Sequence, residues 1–160
     1  MIIPALIIAT HIVAASPSRR ATYSTWNNRE AHYRIDIPEG VLHRTSGPAH
    51  GVGREYGSRD GDISVSVFTV SSSSGKSSAQ ECDEQIAKMP SEFTTTYRRV
   101  TPTWFVFSSR SDKSGVITYE KVLRGRGKRD VLTISYTAEA KPWFDPMLIR
   151  MSRSFVRVGD

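Results

Sequence analysis

Phe144, Leu148, Met151 and Phe155 recur at spacings of four, three and four. That period lines one face of an α-helix, so Phe144–Phe155 is expected to be an amphipathic helix laid on a core. Three runs rich in β-branched and aromatic residues precede it: Thr103–Phe107, Val116–Leu123 and Val131–Tyr136. Such runs, joined in order by short connections, read as a β-meander. A helix that follows a meander buries its apolar stripe against a sheet face. The expectation is therefore an α+β fold. It consists of an antiparallel sheet of about six to seven strands with two covering helices.

Upstream, Tyr33–Ile37 alternates and stops at Pro38-Glu39-Gly40, which marks a first strand and its turn. Val41–Gly53 holds two histidines, a proline and several small residues, and is expected to be an irregular loop. Arg54–Ser58 should then pair with Ile63–Val70 across Arg59-Asp60-Gly61-Asp62, because glycine accepts the positive φ of a tight hairpin. Ile63, Val65 and Val67 alternate with Ser64 and Ser66, the pattern of a sheet covered on one face. Ser71–Ser78 reads as a flexible link into a helix over Ser78–Met89, which Pro90 closes. Thr94–Val100 supplies another strand before the Thr101-Pro102 turn. In the last helix, Asp145 is expected as N-cap with Pro146 at the first helical position. Arg150, Arg153 and Arg157 lie off the packing face, towards the end where cations complement the helix dipole.

At 160 residues the prior is one domain, expected over residues 31–158, after a polar leader at 16–30. The first fifteen residues carry no ionisable side chain except His11. Ile2–Val13 is apolar and shorter than the roughly 20 residues that span a bilayer. It ends in Val13-Ala14-Ala15 ahead of Ser16-Pro17, and small residues there suit signal peptidase, so residues 1–15 are expected to be a signal peptide cut after Ala15. No Lys or Arg precedes the run, and the alternative is a buried N-terminal strand. Export predicts a periplasmic or secreted location. The formal charge of +6 then favours anionic partners, an acidic protein or an anionic membrane surface, over nucleic acid.

Several segments resemble known proteins. The order of strand, hairpin, helix, meander and C-terminal helix is similar to the PsbP-like α-β-α fold. That fold takes its name from an extrinsic photosystem subunit and is shared with a nuclear-import protein that binds the GTPase Ran. Tyr97-Arg98-Arg99, Thr103-Trp104-Phe105-Val106-Phe107-Ser108, Ile117-Thr118-Tyr119-Glu120-Lys121-Val122 and Trp143-Phe144-Asp145-Pro146 with Arg150-Met151-Ser152-Arg153-Ser154-Phe155 resemble a more specific group. These are small exported proteins of unassigned function from alphaproteobacteria, rhizobia and their relatives. The resemblance covers about Ala31–Phe155 and implies the fold. It implies no activity, and no metal-binding or catalytic residues carry over.

The residues offer few constellations for chemistry. Gly75-Lys76-Ser77 stands between a strand and a helix, but Val70 occupies the position where a phosphate loop needs its first glycine, so a linker is expected. His43 and His50 are seven apart with His32 upstream, a spacing that completes no zinc set. Asp60, Asp62, Glu81, Asp83 and Glu84 fall at a turn and in a first helical turn, where solvation or dipole pairing accounts for them. Cys82 is the only cysteine, excludes an internal disulfide, and falls at helical spacing with Ala79, Ile86 and Met89, as a buried small residue would.

The densest charge is Arg124, Arg126, Lys128 and Arg129, four basic residues in six positions. Glycines 125 and 127 leave that backbone free enough for the side chains to gather on a phosphate or carboxylate. Alternatively the tip only solubilises a sheet edge. Three function classes stand. The first is an exported non-catalytic binding or accessory module with no cofactor. The second is a small hydrolase using His43, His50 and nearby acids. The third is a cytosolic nucleic-acid-binding protein, supported only by the aromatic–basic run Tyr97-Arg98-Arg99.

Overall fold

A computed structural model describes residues 21–45, 52–72, 75–125 and 127–159. The expected signal peptide, His50 and Arg126 lie outside these residues.

Seven strands form the main antiparallel sheet, in the order β3-β4-β5-β9-β8-β7-β6. They are β3 (His43–Arg44), β4 (Val52–Gly57), β5 (Ile63–Ser71), β6 (Phe93–Val100), β7 (Trp104–Ser111), β8 (Val116–Gly125) and β9 (Lys128–Thr137). The last three are the expected meander, which β6 continues to the sheet edge. A second sheet of three strands joins β1 (Thr22–Asn28), β2 (Tyr33–Glu39) and β10 (Val156–Arg157). Helix α1 (Ser78–Ala87) covers one face of the main sheet, while α2 (Lys141–Ser154) and the small sheet cover the other.

Alternation along the strands divides the core. On the α2 side Ile63, Val65 and Val67 of β5 and Leu132, Ile134 and Tyr136 of β9 meet Tyr33, Ile35 and Ile37 of β2. On the α1 side Phe105, Phe107, Val122 and Val131 pack with Cys82, Ile86 and Met89. Phe144, Leu148, Met151 and Phe155 are all buried, so the helix phase read from the sequence holds. Asp60-Gly61 makes the β4–β5 turn as expected, with Gly61 at φ 81° and the Asp60 carboxylate accepting from the Asp62 amide.

Four boundaries differ. Thr22–Asn28, inside the expected polar leader, is strand β1, paired along its length with β2. Thr22, Ser24, Thr25 and Asn27 are exposed, so it carries little apolar signal. Within the expected loop after residue 41, His43–Arg44 pairs with β4, whose first residue is Val52. Helix α1 ends at Ala87 rather than Met89, with Lys88 as its C-cap. Helix α2 begins at Lys141, not at Pro146. Ala140 is already helical at φ −73° and ψ −22°, and Pro142 fills the first-turn position where a missing N–H costs nothing. Asp145 therefore sits within the helix instead of capping it. Its carboxylate accepts from the Tyr136 hydroxyl at 3.0 Å and pairs with Lys141, tying α2 to β9.

Candidate functional site

Strand alternation separates the basic residues that the sequence places side by side. β8 and β9 stay paired as far as Arg124↔Arg129 and Gly125↔Lys128, so both residues of each pair belong to the ladder. Arg124 and Arg129 share the α1 face, and Lys128 points to the opposite one. Arg124 crosses to α1, where its Nε donates to Glu81 Oε2 at 3.1 Å and its Nη1 to Ser78 Oγ at 3.0 Å. Glu81 is only 2% exposed, so this is a buried anchor and not a solvated acid at a helix start. Arg129 is half-buried and acts on the Glu120 carboxylate. Lys128 lines an open depression with Glu30, Thr69 and Ser71. The three described members thus serve three different surroundings. Gly125 has a packing reason as well, because any side chain there would overlap the Arg157 guanidinium. That guanidinium lies 2.6 Å from the fully buried Asp130, a charge contact whose carboxylate also accepts from Thr69.

The remaining constellations resolve into structural roles. Ser77 caps α1, accepting from the Gln80 amide while the Gln80 side chain accepts from the Ser77 amide. Lys76 pairs with Glu84, and Asp83 pairs with Arg98. Asp60 belongs to its turn. His43 is held in β3, and His32 sits at a turn with φ 60°. Cys82 is fully buried, and burial pushes its thiol above the usual range, which removes it as a nucleophile. Among the described residues no three His, Cys, Asp or Glu side chains gather as a metal site would need.

A different place offers a surface. Helix α2 stops short of the β6 end of the sheet, leaving a groove of about 390 Å³ between the helix and strands β6, β7 and β8. Its floor is Trp104, Val106 and Tyr119, and its walls are Tyr97 and Arg99 from β6 and Leu148, Ile149 and Arg153 from α2. Alternation explains the β6 residues: Arg98 turns to Asp83 on the α1 side, so Tyr97 and Arg99 project to the α2 side. Tyr97 and Ile149 are 48% and 47% exposed, two of the three large hydrophobics so exposed among the described residues.

The groove is basic. Arg99 stands over the Trp104 ring at 5.4 Å, and Arg153 is exposed in the last turn of α2. Neither is in an ion pair among the described residues, and no acid lines the groove. Lys121 behaves differently. Its Nζ donates to the carbonyls of Ser152 at 2.6 Å and Phe155 at 3.1 Å, closing the C-terminal end of α2. Burial lowers its pKa and raises that of Tyr119, whose hydroxyl shares a hydrogen bond with Ser152. The arrangement can hold an anionic group against an aromatic platform. Within it the Ser152 hydroxyl is engaged by Tyr119, and Lys121 by two main-chain carbonyls.

No family model and no curated protein matches this sequence. Solved structures do match in shape. The solution structure of cyanobacterial PsbP (CyanoP) from Synechocystis sp. PCC 6803 superposes with a TM-score of 0.62 at 12% identity, covering 91% of this chain and 98% of that one. The fold is PsbP-like. The crystal structure of PA94, a protein of unknown function from Pseudomonas aeruginosa, superposes with a TM-score of 0.54 at 14% identity over 86% of this chain and 99% of that one. At such identities the likeness carries architecture and no activity. No helix of this PsbP-like domain, among the described residues, is long and apolar enough to cross a membrane.

The sequence did hold a signal for the groove. Tyr97 and Arg99 recur at strand spacing on what becomes an edge strand, and Ile149 lies outside the four-three-four stripe of α2. Nothing local says that these three face one another.

Proposed function

We propose that this chain is an exported, non-catalytic binding module that takes an anionic ligand with an apolar body in the groove between α2 and β6–β8. One observation carries the reading: Arg99 and Arg153, both without a carboxylate partner among the described residues, flank a floor built from Trp104 and Tyr119. Unneutralised arginines over aromatic surface stabilise an anion by charge and by stacking. The groove volume falls within the range of small-molecule sites, about 300–1,000 Å³. Tyr97 and Ile149 leave apolar surface at its mouth that a solvent-facing wall does not need. The apolar Ile2–Val13 run supports export, and the charge of +6 adds long-range attraction for anions.

The test uses anilinonaphthalene sulfonate, an anionic aromatic whose fluorescence rises on transfer to apolar surroundings. The native protein should bind it at low salt and release it as salt shortens the Debye length from about 10 Å at 0.1 M to about 3 Å at 1 M. The Arg99→Gln/Arg153→Gln variant should lose that binding while its circular dichroism stays unchanged. Equal binding by the two proteins, or none by either, refutes the reading.

A further inference from the structure

The groove opens onto the end of the sheet. β6 is the terminal strand of the seven, and no strand pairs with its outer edge among the described residues. It is eight residues long, and Thr94 to Arg99 are all exposed. A strand in that position presents a row of main-chain donors and acceptors that another strand can complete. Most edge strands are protected by charge or a bulge. β6 has both, with a register shift between Thr95 and Tyr97 and arginines at 98 and 99.

The protection is one-sided. Arg98 is neutralised by Asp83 on the α1 side, at 2.8 Å. On the α2 side Arg99 and, across the groove, Arg153 have no such partner among the described residues, and between them stand the exposed Tyr97 and Ile149. Positive charge of this kind repels a second basic chain and attracts an acidic one. A strand added to β6 places every second side chain on the α2 side. Apolar side chains there would cover Tyr97 and Ile149, and carboxylates would reach Arg99 and Arg153. A small anion leaves the open edge unused, whereas an extended acidic segment uses edge, arginines and apolar mouth together.

Resting on the groove reading above, we infer that the partner is an acidic polypeptide that docks in extended form along the outer edge of β6 and seats apolar side chains in the groove. Main-chain hydrogen bonds to β6 supply affinity. Tyr97, Arg99, Ile149 and Arg153 select sequences that carry both aliphatic or aromatic and acidic residues at every second position, on the one face turned to the groove.

The experiment uses synthetic peptides of about eight residues, the length of β6, with Thr at every second position and Glu, Val, Phe and Glu at the others, so that acidic and apolar side chains share one face. Two N-methylated isomers are made, one blocking the amides along one edge of the strand and the other those along the opposite edge. Strand addition predicts that one isomer binds about tenfold more weakly or worse while the other binds as the parent does, because only one edge faces β6. Backbone amides of Thr94–Arg99 should gain protection from hydrogen exchange. Ile149→Ala and Arg153→Gln should each weaken the peptide without unfolding the domain. If both isomers bind equally, or β6 gains no protection, strand addition is wrong. If anilinonaphthalene sulfonate binds and the peptide does not, the groove stands and the polypeptide partner falls. If neither binds, both readings fall. Salt-sensitive retention on phosphatidylglycerol vesicles through Arg99 and Arg153, with no protection of β6 by peptide, overturns the inference in favour of a lipid surface.

Discussion

Arg124 on β8 reaches across to α1 and donates to Glu81, Nε to Oε2 at 3.1 Å, where Glu81 is only 2% exposed. The same guanidinium donates to Ser78 Oγ and to the carbonyls of Lys76 and Pro102. One side chain thus fixes the first turn of α1 to the sheet and to the connection that precedes it. A residue that reads as part of a solvent-facing basic tip is a clamp between layers.

Removing that clamp takes the guanidinium away from a buried carboxylate. Arg124→Ala should cost about 3–5 kcal/mol, the usual penalty when one member of a buried pair is lost. Replacing both partners by apolar residues, Arg124→Met with Glu81→Leu, should cost far less. Lys128→Ala, on the other face, should stay within about 0.5 kcal/mol. Urea midpoints at constant m-value measure all three. Equal effects at Arg124 and Lys128 would return Arg124 to the solvated tip.

Helix α2 gives a sharp contrast between neighbouring faces. Phe144 is fully buried against Tyr136, with ring centroids 5.3 Å apart. Phe144→Ala should therefore cost about 3–5 kcal/mol. Ile149 is 47% exposed, and Ile149→Ala should change stability by less than about 1 kcal/mol while weakening ligand in the groove. Thermal unfolding together with probe titration separates the two outcomes.

Glu120 sets a pH dependence. Burial on the α1 side pushes its carboxyl up to about 7, against the opposing pull of Arg129 and Lys88. The folded state thus holds a proton that the unfolded chain, near 4.3, has already released. Its contribution is present below about 4.3 and is gone above about 7, so stability falls as pH rises through that window. The expected loss is at most about 4 kcal/mol, at about 1.4 kcal/mol per pKa unit, and less where solvent reaches the carboxylate. Glu120→Gln should flatten the fall between pH 5 and pH 8 in denaturant titrations. An unchanged slope would mean that Glu120 is ionised in the folded protein.

Cys82 should resist labelling. It is fully buried on the inner face of α1, with its thiol raised by desolvation. Iodoacetamide at pH 8 should leave the native protein unmodified and alkylate it in guanidinium, a difference read by mass. Rapid native labelling would show that α1 lifts from the sheet at low cost.

Export is tested at the N-terminus. Protein recovered from its native host should begin at Ser16, as N-terminal sequencing would show. A product retaining Met1 in the cytosol would remove the export half of the proposal and return nucleic acid to the candidate partners.

Local, periodic patterns of side chains specify several parts of this domain before any tertiary contact is known. The four-three-four spacing of Phe144, Leu148, Met151 and Phe155 set the inner face of α2, and the alternation of Ile63, Val65 and Val67 set the inner face of β5. Asp60-Gly61 set a hairpin because few residues tolerate its backbone. Where a signal was local but ambiguous it misled: Asp145-Pro146 looks like a helix start, while Pro142 had already taken that role. Strand β1 left little trace, since it presents polar residues to solvent and takes its order from pairing with β2. Tertiary structure alone decided what each face meets. Periodicity says that Arg124 and Lys128 lie on opposite sides of a strand, but only the placement of α1 puts Glu81 in reach of one of them. The groove is of the same kind: Arg99 and Arg153 are 54 residues apart in the chain, and only the stopping point of α2 over the sheet brings them to opposite walls of one cleft.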